Sequence, residues 1–224
     1  MRRSGTGAFG RIPQWEGRIL RESVHPYRAA ARDELADAAR AANWPQVLSV
    51  VSRAAREPCS ENRGWINAVR LDGHRGYAPL HQAARHGAPV DAVKALLGCG
   101  AWRTLRNSDG KRPLDIPQER GHHLTRILQP EIKHQVPDAV LAGLQRNLHT
   151  LITRYDSDAP SYLRLPEVEV LTELDPPAYR IRICGGIFII ELRGFELNAQ
   201  AVGKMDYSTP PPYRITVGRI HKPE

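Results

Sequence analysis

The sequence predicts a mainly α stack of repeated helix pairs followed by a small α+β domain with an antiparallel sheet. Three observations predict it. A short motif recurs: Pro79-Leu80 returns as Pro113-Leu114, while Gly76 and Gly87 return as Gly110 and Gly121. Apolar residues fall at helical spacing in residues 33–130 and again in 137–155, as in Leu80, Ala83 and Ala84 or Leu144, Leu148, Leu151 and Ile152. After about residue 178 the pattern alternates, in two β-rich runs joined by Gly185-Gly186.

Residues 1–32 hold seven arginines against Glu16 and Glu22, which predicts a basic, partly flexible arm that attracts an acidic partner. Residues 33–130 carry fourteen basic against ten acidic residues, and 131–224 carry eleven against twelve, so the net charge of +8 concentrates toward the front. Gly5 to Gly10, GTGAFG, matches a phosphate-binding loop, but only four residues precede it, too few for the strand such a loop requires. Nucleotide binding is dropped on that ground. The opening MRRSGTGAFGRIP has no apolar stretch behind its basic residues, and no apolar run approaches the roughly 18–20 residues of a membrane span. Cys59, Cys99 and Cys184 are scattered and form no CxxC pair, as reduced thiols of a cytoplasmic protein would be.

Residues 33–130 divide into three units, the first degenerate. ELADAARAANWPQVLSVV supplies Leu35, Ala38 and Ala39, then Val47, Val50 and Val51, with Ala42 where a turn glycine belongs. In the middle unit, GYAPLHQAARHGAPVDAVKALLGCGAW, Pro79 suits a first helical turn because its missing N–H would be unpaired there anyway. Ala83 and Ala84 admit a second helix at close range, and Gly87 suits a left-handed cap. Asp72-Gly73 and Asp109-Gly110 signal the turns of hairpins that project between units, and NAVRLDGHRGY makes the first finger long. This order of residues resembles the ankyrin-repeat family and implies a mainly α ankyrin-repeat stack. The third unit departs from the pattern, with Asp115 at the histidine position and Pro117 inside the expected helix, where it should kink or shorten it.

In residues 131–224, VPDAVLAGLQRNLHTLITRYD reads as an amphipathic helix closing the open end of the stack. SYLRLPEVEVLTELDPP reads as a short helix or turn, and LNAQAVG and YRITVGRI as third and fourth strands after the Gly-Gly hairpin. The order LRLPEVEVLTELDPP, Gly-Gly and YRIT is similar to a region that follows ankyrin repeats in uncharacterised bacterial proteins, which implies no established activity.

Nine histidines include the adjacent His122-His123 and the pair His81/His86, but neither spacing puts two imidazoles on one helix face, so no metal is expected. No cofactor is expected either. Cys184 has no partner motif and reads as packing, and Glu167 and Glu169 read as a solvated edge. What remains is recognition. The resemblance implies a concave face lined by hairpin fingers and exposed first-helix positions: Arg40, then His74, Arg75, Tyr77, Arg85 and His86, then Arg106, Ser108, Lys111, Glu119 and Arg120. Trp102 occupies a hairpin position as an exposed anchor or as a plug against the C-terminal domain. The expected function is a non-enzymatic protein–protein interaction module that binds a protein with an acidic surface, as an adaptor or an immunity-type inhibitor in a bacterial setting. A nucleic-acid-binding accessory protein using the basic arm and an unrecognised enzyme in the sheet domain are the alternatives. No helix-turn-helix, zinc-finger or RNA-binding signature supports the first of these.

Overall fold

The computed structural model describes residues 12–56, 64–116, 123–183, 186–202 and 212–222. Helices α1 (Pro26–Arg40) and α2 (Trp44–Arg56) form a first pair. α1 starts at a proline, and His25 Nδ1 accepts from the Tyr27 N–H to cap it. α3 (Pro79–His86) and α4 (Val90–Gly98) form a second pair, with Gly87 in the left-handed conformation (φ 57, ψ 53) that ends α3. Leu35, Val47, Val50, Leu80, Ala83, Val93 and Leu96 make one core between the pairs.

The ankyrin-repeat stack expected over 33–130 is corrected by its third unit. A single 3-10 turn, Pro113–Asp115, stands where a first helix was expected. Asp115 accepts from the Arg112 N–H at 2.9 Å, and Ile116 is extended (φ −77, ψ 125). That conformation is the one a following proline imposes, because the ring clashes with an α-helical residue before it. Among the described residues helix resumes in the four residues of α5 (Thr125–Leu128). Pro117, Gly121 and His122 lie outside the described residues. The described residues of this half therefore hold two helix pairs, then the turn Pro113–Asp115 and the four-residue α5 in place of a clear third pair.

α6 (Asp138–Tyr155), α7 (Ala159–Tyr162) and a 3-10 segment (Val168–Thr172) lead into the sheet. The sheet contains β1 (Gln14–Trp15), β2 (Ala178–Ile183), β3 (Gly186–Arg193), β4 (Glu196–Val202), β5 (Tyr213–Ile215) and β6 (Ile220–His221), in that spatial order. It is mixed, not antiparallel throughout, because β1 pairs parallel with β2 while the other neighbours run antiparallel. The stretch read as one fourth strand splits into the β5–β6 hairpin. Thr216 closes its turn, donating its N–H to Arg219 O at 3.0 Å and accepting from the Arg219 N–H at 3.2 Å. Leu144, Leu148 and Ile152 of α6 pack with Ile181, Ile190, Leu197 and Ile215 of the sheet.

The segment read as an arm enters the fold through β1. Trp15 stacks on Trp102 with ring centroids 5.7 Å apart and donates its indole N–H to Arg164 O at 2.8 Å. Trp102, 4% exposed, is thus the plug and not the anchor. Glu167 and Glu169 do not form a solvated edge. With Glu173 they join the sheet half to the hairpin that follows α4. Glu173 accepts from the Arg103 and Thr104 N–H groups at 3.1 and 3.0 Å and from the Thr104 hydroxyl at 2.6 Å. Glu167 accepts from the Arg106 N–H at 2.9 Å and pairs with Arg164. Glu169 takes Arg106 at 2.9 Å and also Arg112. Burial pushes the Glu167 and Glu173 carboxyls upward, and these donors pull both back toward the charged form.

His81 is fully buried. Its Nδ1 accepts from the Ala78 N–H at 3.3 Å, which leaves Nε2–H to donate to Lys111 O at 3.2 Å. Burial, reinforced by the charge of Arg164, pulls this imidazole down from 6.5 to about 4. Between those two values only the unfolded chain takes the proton, so stability present at neutral pH is lost as the pH falls through this window. The full loss is about 3 kcal/mol. Urea denaturation of the wild type at about pH 7, 6 and 5 should show this decline, and His81→Gln should be weaker at pH 7 with a flatter slope. Glu173→Ala strands the two buried donors of Thr104 and the half-buried N–H of Arg103, and should cost about 3 kcal/mol or more in the same assay.

Candidate functional site: an arginine-lined cleft

α1 packs on α3, so the first helices of the two pairs lie side by side. Their flank and the loop 68–77 enclose a cleft of about 550 Å³. α1 contributes Arg40, the loop contributes Arg70, His74, Arg75 and Tyr77, and α3 contributes Gln82, Arg85 and His86.

The finger that presents His74 and Arg75 is built by two left-handed residues, Asp72 (φ 54) and Gly76 (φ 61). Asp72 is tied at its N–H to Ile19 O at 2.7 Å and through Oδ1 to the Arg21 N–H at 3.0 Å. Asp72 tolerates this backbone better than most side chains. At Gly76 the constraint is stricter: a Cβ there would stand 2.7 Å from Ser108 Oγ. The close approach lets Ser108 donate its N–H to Arg75 O at 3.1 Å, binding one finger to the next.

Among the described residues the lining carries four arginines, two histidines and no carboxylate. Arg70 is ion-paired with Asp37, which is not part of the lining. Tyr77 stacks on His81 at 5.6 Å, and the Trp44 ring meets His86 edge-on at 6.4 Å, so two of the cleft's rings are held by packing. Gln82 Oε1 is buried with no hydrogen-bond partner among the described residues. Such a surface can do one thing well: offer charged and neutral donors to an anionic group.

Six residues expected on a recognition face share this cleft: Arg40, His74, Arg75, Tyr77, Arg85 and His86. Ser108 and Lys111 are exposed on the neighbouring hairpin, outside the lining. Arg106 is spent on Glu169 and on Gly110 O at 2.7 Å, and Trp102 is buried, so neither is placed to meet a partner. Glu119 and Arg120 lie outside the described residues. Arg70 and Gln82 were missed, although Arg70 sits in the long finger whose charge pattern could have exposed it. Among the described residues no group of three His, Cys, Asp or Glu could hold a metal ion, and no helix is long and apolar enough to cross a membrane.

Gly76→Ala should both strain the backbone and push Ser108 away, costing about 1–2 kcal/mol from the left-handed conformation alone. Denaturant unfolding measures the cost. Gly110→Ala, also at positive φ but with open space around its Cβ, should cost less.

No family model matches the sequence. A stretch is 41% identical over 92 residues to the E3 ubiquitin-protein ligase Ufd4 of Drosophila melanogaster, covering 38% of this chain and 3% of that protein. Another is 44% identical over 46 residues to cyclin-dependent kinase inhibitor 2A of Monodelphis domestica, an ankyrin-repeat protein, covering 20% of this chain and 26% of that one. The chain thus spans only a small part of each of these relatives. The likeness is local.

Proposed function

We propose that the protein is a non-enzymatic binding module whose arginine-lined cleft receives an acidic segment of a protein partner. The observation that carries this reading is the lining itself: four guanidiniums, two imidazoles and a half-buried tyrosine with no carboxylate among them. Arginine and tyrosine carry much of the energy of protein interfaces, and guanidinium–carboxylate pairs are strong when desolvated. The cleft is wide enough for one or two acidic side chains and the backbone that bears them. The two relatives, a ubiquitin-protein ligase and a kinase inhibitor, are by name proteins that act on other proteins, which fits this class of function.

Arg75→Glu with Arg85→Glu tests the reading. Removing two charge-assisted contacts of about 1.5–3 kcal/mol each should weaken the complex by two or more decades. A partner captured from native extract by the wild type, then purified, should bind the wild type in calorimetry and lose affinity for the double variant, whose melting temperature stays unchanged. Its affinity for the wild type should also fall with salt, as contacts between charges near the surface are screened beyond about 8 Å. Full affinity in the folded double variant places the binding surface elsewhere.

A further inference from the structure

A second cavity, of about 260 Å³, lies where the N-terminal strand, the start of α1, the 3-10 turn Trp65–Asn67 and β2 meet. It shares no lining residue with the cleft. Four guanidiniums line it: Arg18, Arg28 and Arg32 from the front of the chain and Arg182 from β2. Among the described residues Glu16 is the one carboxylate in the lining, against four guanidiniums.

Arg32 is 2% exposed, and its surroundings do not satisfy it. Nη2 donates to Val69 O at 2.6 Å, while Nε and Nη1 have no hydrogen-bond partner among the described residues. The indole N–H of Trp65, another buried side chain of the lining, has none either. Unpaired buried donors are rare because each gives up its water without replacement, and a charged one is the most costly. Here three of them belong to side chains around one space. Burial weighs most against the Arg32 charge, with Glu16 and Asp33 opposing it and the like charges of Arg28 and Arg18 adding to it. Ser23, Val24 and His25 bring the N-terminus of the fifteen-residue α1 to the same wall, adding the positive end of its dipole. Arg18 is held in place with its guanidinium 4.6 Å from the Tyr162 ring centroid.

We infer that this cavity binds a small phosphate-bearing anion, either inorganic phosphate or a small phosphomonoester, with its oxygens taking the free donors of Arg32 and Trp65. The volume lies just below the roughly 300–1,000 Å³ of drug-sized ligand pockets, which suits a compact ligand and leaves no room for a folded segment. A doubly charged anion matches a lining of four guanidiniums and one carboxylate better than a single carboxylate does. Bound there, it ties the N-terminal segment, α1 and β2 together.

The test is calorimetric titration of the full chain with inorganic phosphate and, separately, with glycerol 3-phosphate, at matched ionic strength in chloride. The wild type should show saturable binding, and Arg28→Gln and Arg182→Gln should each bind about tenfold more weakly or worse. Both variants should stay folded without phosphate, and each should gain less in melting temperature than the wild type when phosphate is added. A generic stabilising effect of phosphate through surface exclusion would raise all three equally. Preference for one probe decides between the free ion and the ester. Absence of saturable binding for both probes, or equal binding by wild type and both folded variants, overturns the inference.

Discussion

Three carboxylates from one short stretch, Glu167, Glu169 and Glu173, take hold of the backbone and side chains of residues 103–112, and the rest of the molecule is arranged around that grip. Buried carboxylates demand donors, and the hairpin after α4 supplies them from peptide N–H groups that would otherwise be orphaned. The hairpin then passes the constraint along. Asn107 donates its N–H to Lys111 O at 2.9 Å and accepts from the Lys111 N–H at 2.8 Å, which presents Lys111 O to His81. Ser108 at the tip meets Arg75 and leaves room for nothing larger than Gly76. A chain of hydrogen bonds therefore runs from the 3-10 segment beside the sheet to the finger that forms one wall of the cleft.

The parts of this arrangement that were legible in the sequence are those set by local periodicity. The spacing of Leu80, Ala83 and Ala84 with Gly87 marks a buried helix face and its stop, while the six cleft residues were implied by the ankyrin resemblance, which put finger and first-helix positions on one face. What was not legible depends on partners far along the chain. Alternation in PEVEVLTE says which side chains point together, but not that residues 103–112 cover them. A two-residue strand, Gln14–Trp15, has no period to read, and its parallel pairing with β2 joins segments from opposite ends of the sequence. The third unit departs from the pattern for a local reason: a residue before proline is kept out of the helix, and Ile116 is extended where the turn Pro113–Asp115 ends.

Charge at the front of the chain takes a different meaning in the folded protein. Arg18, Arg28 and Arg32 were read as part of a basic arm, yet they gather around a cavity, while the outward-facing basic surface is built by Arg40, Arg75 and Arg85 further along. Two cationic places result, one of about 260 Å³ and the other of about 550 Å³. Their sizes suit different anions, a compact phosphate in the first and an acidic protein segment in the second.

Amide hydrogen exchange of the protein with and without its bound partner tests the cleft most directly. The account predicts that partner binding slows exchange in residues 36–40 and 73–86, which carry the lining from α1, the finger and α3, with β5 and β6 unchanged. Slowed exchange confined to the sheet, with the cleft segments unaffected, would contradict it.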